Sequence, residues 1–296
     1  MNKKMTVAAS MALNFLSSVM IIWANKMVFV SGFECPLTLT ILHFISSFFG
    51  LAICVQVGVF QAKIIPFQSL ISISIAFSGF VILNNLSLRF NSISTYQLLK
   101  VLTTPAIVFI QYFIYSTRIA FFKILSLIPI CLGVILATFS PSREASPSSS
   151  SGIWFGILGV IVTSVYQIWV KTEQTRLDVT PQQLLLLQAP LSALILLPFA
   201  VFSETSCISR IHVSTWTLFL ILGSSILAFL VNISIFLVIR SSSPLAYNVL
   251  GHLKLCVILT SGYTLFGESF TVQSLIGVFI AFIGIVWYTH ISLVKR

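Results

Sequence analysis

Two lysines stand where the surrounding sequence gives little reason for a charge. Lys254 lies in SPLAYNVLGHLKLCVILTSG and Lys100 in STYQLLKVLTTPAIVF, both inside apolar runs of membrane-spanning length. An ammonium at the bilayer centre costs roughly 2.5–3.5 kcal/mol on insertion scales, so it persists where a partner, a wet cavity or a ligand meets it. Lys254 falls about 15 Å into its run at the helical rise, near the midplane. Lys100 falls roughly 10 Å in, shallow enough that snorkelling to the interface is the competing reading. Tyr96, Lys100 and Thr103 follow i, i+4, i+7 and share one helix face. Tyr247, Gly251 and Lys254 repeat that pattern, flanked by Asn248 and His252. Lysine offers a compact point charge for phosphate. A tyrosine face can stack on a base or sugar. A glycine removes a side chain where a ligand or a backbone could approach.

The carboxylates carry the complementary message. Glu34, Glu144, Glu173, Asp178, Glu204 and Glu268 all map to loops or span ends. No acid is left in the membrane interior to carry protons or attract cations, which disfavours a carboxylate-driven pump or a cationic-drug exporter. The cavity these residues predict is positive and suits an anion. The four histidines show no metal-ligand spacing, and HExxH, GxSxG and Walker patterns are missing. We therefore expect no enzyme, no cofactor and no metal site.

These residues are positioned by a chain that is almost entirely apolar. Of 296 residues, 57% are hydrophobic and 7% charged, with a mean hydropathy of +1.07. A globular chain is about 25% charged, so a water-soluble enzyme, a DNA-binding domain and a secreted disulfide scaffold are excluded. Spans of about 20 residues are expected at 6–30, 37–58, 67–88, 93–115, 120–139, 153–171, 182–203, 214–239, 243–266 and 271–291. The Ser/Pro-rich stretch at 140–152 cannot form a packed core and separates residues 1–139 from 153–296.

The two halves resemble each other. Tyr96 and Tyr247 are 151 residues apart, as are Gly133 and Gly284. Asn85-Leu-Ser-Leu parallels Asn232-Ile-Ser-Ile, and Ser17-Ser18 with Trp23 parallels Thr163-Ser164 with Trp169. The competing explanation is composition bias, since apolar helices look alike. Five spans per half oblige two copies to enter the membrane in opposite directions, the inverted repeat of many secondary transporters. The expected fold is all-α and polytopic, with ten helices in two inverted five-helix repeats.

The formal charge of +10 reads as topology rather than as a nucleic-acid surface, because the basic residues are scattered. With the N-terminus in the cytoplasm, ten Lys and Arg fall on that side and four on the other. Both termini are then cytoplasmic. The first apolar run is too long for a signal-peptide core, and only five residues precede it. Cys35, Cys54, Cys131, Cys207 and Cys256 show no CxxC or paired spacing, so neither a disulfide nor a metal site is expected. Asn14, Ser18, Asn25, His43, Asn84, Asn85, Gln167, Lys171, Gln188 and Asn232 are buried polar positions. Each is read first as an interhelical hydrogen-bonding group.

At this point the sequence resembles the drug/metabolite transporter superfamily, in the branch of nucleotide-sugar transporters and triose-phosphate translocators. Within it, the E subgroup of solute carrier family 35 is the nearest likeness. The segments LTLTILHF (37–44), GFVILNNLSL (79–88), STYQLLKVLTTP (94–105), VTSVYQIWV (162–170), FLVNISIF (229–236) and SPLAYNVLGHLKL (243–255) carry it, in order along nearly the whole chain. The resemblance implies alternating access and exchange of an anionic sugar-phosphate compound for a smaller phosphate-bearing partner. It also implies that lysines on the fourth and ninth spans bind phosphate, and Lys100 and Lys254 match those positions. Triose-phosphate translocators resemble each other in a Lys-Arg pair on the ninth span, where this chain has Lys254-Leu255. That departure, and the missing transit peptide, turn the expectation from a plastid triose-phosphate carrier to a Golgi or endoplasmic-reticulum exchanger. The expected substrates are a nucleotide sugar and a nucleoside monophosphate. Lys100 and Lys254 would bind the phosphates, and Tyr96, Tyr247, Asn248 and His252 would line the base and sugar region. A homodimer is compatible with the fold. The competing functions are exchange of phosphorylated sugars or other organophosphates, and a non-transporting membrane scaffold or sensor.

Overall fold

A computed structural model of the protein describes residues 3–138, 150–205, 207, 214–241, 244–267 and 271–294. The described residues form helices with no strand: α1 (Lys3–Val30), α2 (Pro36–Gln56), α3 (Phe67–Phe90), α4 (Ile93–Val101), α5 (Thr103–Phe113), α6 (Phe121–Leu125), α7 (Leu127–Thr138), α8 (Ser150–Leu177), α9 (Pro181–Ser203), α10 (Thr215–Ser241), α11 (Pro244–Phe266) and α12 (Val272–Val294). The consecutive pairs α4/α5 and α6/α7 each make one span. Among the described residues nine segments are long and apolar enough to cross a membrane, and α11 occupies the remaining expected span. The chain is a polytopic helical membrane protein.

Local sequence explains most boundaries. Pro181 opens α9 behind a capping box in which Thr180 and Gln183 satisfy each other's backbone N–H groups. Ser92 caps α4 by accepting from the Thr95 N–H at 3.1 Å. Asp178, with φ of 50°, turns the chain after α8. α4 ends at Val101 and α5 starts at Thr103, because Pro105 has no N–H to give the carbonyl four residues earlier. The α6/α7 break at Ser126 has the same relation to Pro129. Helix α8 runs six residues beyond the expected end at 171. Its polar last turns are held by an ion pair between Arg176 and Glu173 and by Thr175 Oγ1 donating to the Lys171 carbonyl. Of the Ser/Pro stretch, residues 150–152 begin α8, and the remainder lies outside the described residues.

The chain divides into two compact units, each drawing on both halves of the sequence. The first comprises residues 1–85 and 169–250. In it Ile41, Phe44 and Leu51 of α2 pack on Leu185, Ala189, Ala193 and Leu196 of α9, residues that recur at helical spacing. Buried polar pairs stitch its helices together. Asn14 Nδ2 donates to Ser234 Oγ at 2.9 Å, Asn85 Nδ2 to Thr40 Oγ1 at 2.7 Å and Asn232 Nδ2 to Ser47 Oγ at 3.1 Å, while His43 Nε2 meets Ser224 Oγ at 3.1 Å. The interhelical reading of Asn14, His43, Asn85 and Asn232 therefore holds.

One expectation fails in this unit. Cys35 and Cys207 form a disulfide, with Cα atoms 6.2 Å apart across 172 residues of sequence. Beside it the Glu204 carboxylate accepts from the Leu37 N–H at 2.7 Å and from the Thr38 N–H and Oγ1 at 2.9 and 2.6 Å. It thereby satisfies the first N–H groups of α2. Spacing rules for cysteine look for local pairs, and this pair is made by two helix ends that meet only in the fold. Elsewhere in the unit, Lys63 Nζ donates to the Leu177 carbonyl at 3.0 Å and to Asp178 Oδ2 at 3.3 Å.

The second unit comprises residues 86–168 and 251–296. Its spine is the contact of α7 with α12. A Cβ on Gly133 would lie 2.3 Å from Ala281 N and 2.5 Å from the Gly277 carbonyl oxygen, and one on Gly284 would lie 2.8 Å from Ile130 N. Only small residues permit such backbone approach. Shifted by 151 residues, the Gly133–Ala281 contact becomes the Gly284–Ile130 contact. This seam maps onto itself under the 151-residue offset between Gly133 and Gly284.

Candidate functional site

Helix α4 delivers Lys100 in its last turn. One turn earlier stands Tyr96. Lys100 Nζ donates to Tyr96 Oη at 3.3 Å and lies 5.1 Å from the ring centroid, so the ammonium is held by the hydroxyl and by the π-face. Tyr96 is 7% exposed, whereas Lys100 is exposed. Lys254, half-buried on α11, belongs to the same compact unit. The two lysines singled out by the sequence thus belong to one compact unit.

The other expected site residues divide. Thr103 follows the break at Leu102, so it does not continue the α4 face in unbroken register; its carbonyl accepts from Ser164 Oγ of α8 at 3.4 Å. Gly251 is exposed, and a Cβ there would meet nothing within 4 Å. No backbone approaches it, and the position is open. Tyr247, Asn248 and His252 lie on α11, but their side chains fall outside the described residues. The buried ring of Tyr96 answers to Lys100 rather than offering a free stacking face.

A groove of about 660 Å³ opens in the same unit between α4, α11 and α12. It is lined by Leu98, Val101, Leu255, Leu259, Val278 and Phe282 among others. Its apolar lining fits hydrocarbon, and it includes none of the expected site residues. The sequence reading missed the Tyr96–Lys100 contact. The signal was their i, i+4 spacing, which brings an aromatic and a cation together on any helix.

Comparison with known proteins agrees with the fold. The chain is 33% identical to UDP-xylose transporter 1 of Arabidopsis thaliana over 292 residues, covering 97% of this chain and 84% of that protein. It is 30% identical to UDP-rhamnose/UDP-galactose transporter 1 of the same plant, covering 94% and 81%. Nucleotide-sugar uncharacterized transporter 1 of Arabidopsis thaliana is 29% identical, with 96% and 73% covered. A solved crystal structure shares the fold with a TM-score of 0.63 at 14% identity, covering 97% of this chain and 99% of its own. Residues 5–289 match the Triose-phosphate Transporter family, and with the described helices and these relatives they place the chain in that family, a family of transporters and not of enzymes.

Proposed function

We propose that the protein is a secondary-active antiporter that exchanges a nucleotide sugar for a nucleoside monophosphate by alternating access. The observation that carries this reading is the pair Lys100 and Lys254, two lysines in membrane-spanning helices of one compact unit. Phosphate is the ligand class that neutralises such a pair, and among the described residues the acids Glu34, Glu173, Asp178 and Glu204 lie in loops or near helix ends. Two named relatives transport UDP-sugars, which favours a uridine nucleotide over a free phosphosugar. Lys254-Leu255, in place of two adjacent cations, favours the same choice.

Both substrates use the same charges, so the empty site keeps its repulsion and reorients poorly. Exchange is then obligatory. The repeat-symmetric α7–α12 seam supports two inverted five-helix repeats, 1–139 and 153–296. The Cys35–Cys207 disulfide supports the orientation. Disulfides persist in oxidising compartments, and both cysteines fall on the side opposite the excess of Lys and Arg. That side faces the lumen of the Golgi or endoplasmic reticulum, and both termini face the cytoplasm.

The test is uptake of labelled nucleotide sugars and phosphosugars into proteoliposomes preloaded with UMP, GMP, CMP or phosphate. Uptake of a nucleotide sugar driven by one internal monophosphate is the expected result. Phosphosugar uptake driven by internal phosphate would replace the reading with organophosphate exchange. Failure of every pair in folded protein would favour a scaffold.

A further inference from the structure

The buried ring of Tyr96 raises the question of what a tyrosine does beside a substrate lysine without facing the substrate. At 7% exposure, and with an ammonium 5.1 Å from its centroid, it has no open face to offer a base. What it offers is directed at Lys100: a hydroxyl acceptor at 3.3 Å and a negative π-face. A lysine side chain carries much rotamer entropy. Two contacts on one ammonium reduce that freedom before the ligand arrives, which favours binding by preorganisation.

We infer that Tyr96 is a positioning residue for Lys100, holding its ammonium where the phosphate groups of the substrate are received, and does not contact the nucleobase. The inference rests on Lys100 being a phosphate ligand, so the experiment separates the two claims. Full-length protein in nanodiscs is titrated with UMP, inorganic pyrophosphate and uridine, following ligand-induced thermal stabilisation and the half-saturation for UMP exchange. The variants are Tyr96→Phe, Tyr96→Leu, Lys100→Ala and Lys100→Ala combined with Tyr96→Leu.

Loss of the hydroxyl alone in Tyr96→Phe is expected to weaken UMP and pyrophosphate by ~3-fold, and loss of ring and hydroxyl in Tyr96→Leu by ~10-fold or more. The factor is the same for both phosphate ligands, uridine is unaffected, and Tyr96→Leu adds nothing once Lys100 is gone. Tyr96→Phe keeps the packing volume and carries the test if Tyr96→Leu does not fold. The inference is overturned if Tyr96→Phe binds as wild type. It is also overturned if UMP suffers more than pyrophosphate, which would mean base contact, or if the Tyr96→Leu effect persists in full without Lys100. If Lys100→Ala itself binds UMP normally, the reading of Lys100 fails, and that of Tyr96 with it.

Discussion

Breaking the Cys35–Cys207 bridge should release the start of α2 from the end of α9 while the hydrophobic contact between the two helices remains. The bond closes 172 residues of sequence. For a chain unfolding freely in water, the loop-entropy model puts its contribution at ~5 kcal/mol. A polytopic chain unfolds with its helices still confined by the bilayer, so less freedom is regained. The buried contacts of Leu39 and Phe44 with their neighbours, and the Glu204 cap on the Leu37 and Thr38 N–H groups, also outlast the bond. We expect a loss of about 2–3 kcal/mol, within the range measured for native disulfides, and a Tm lower by several degrees. The assay is thermal unfolding of Cys35→Ser, Cys207→Ser and the double variant, each with and without reductant. Because all three lose one and the same bond, their Tm values should coincide, and reductant should bring the wild type down to them. Additive losses, or a wild type whose two thiols alkylate without prior reduction, would refute the argument and with it the support for a lumenal α2 start.

Three further outcomes follow from the geometry. Gly133→Ala places a methyl against the backbone of Ala281 and Gly277 and should cost about 1–3 kcal/mol by overpacking. Gly223→Ala, where nothing lies within 4 Å, should be neutral or stabilising, and the two thermal denaturation curves compare them directly. Glu204→Gln replaces one of two accepting oxygens with a donor and should cost ~1–2 kcal/mol by leaving an α2 N–H unmatched, read as a lower Tm whose deficit is coupled to that of Cys35→Ser.

The spans were legible because the physics that sets them is local. Runs of about 20 apolar residues bounded by Pro36, Pro66, Pro181, Pro244 and charged turns leave few other foldings in a bilayer. Gly133 and Gly284 were legible as a repeat match, and the fold gives that match a cause in the α7–α12 contact. The breaks were less so. Pro105 and Pro129 each interrupt a span, while Pro190 and Pro198 sit within an unbroken α9, so proline identity alone does not decide. The disulfide was hidden because its partners are joined by tertiary packing. At the site, periodicity placed Tyr96 and Lys100 on one face correctly. It could not tell that the ammonium would occupy the ring, because a helical face names neighbours without saying which of them meet.

The most direct measurement of the central claim is uptake of a labelled UDP-sugar into proteoliposomes loaded with UMP, compared with empty ones, for wild type, Lys254→Ala and Lys100→Ala. The account predicts uptake that requires internal UMP and is lost in both variants while their unliganded Tm stays near wild type. Undiminished exchange in the variants, or equal uptake into empty liposomes, would contradict it.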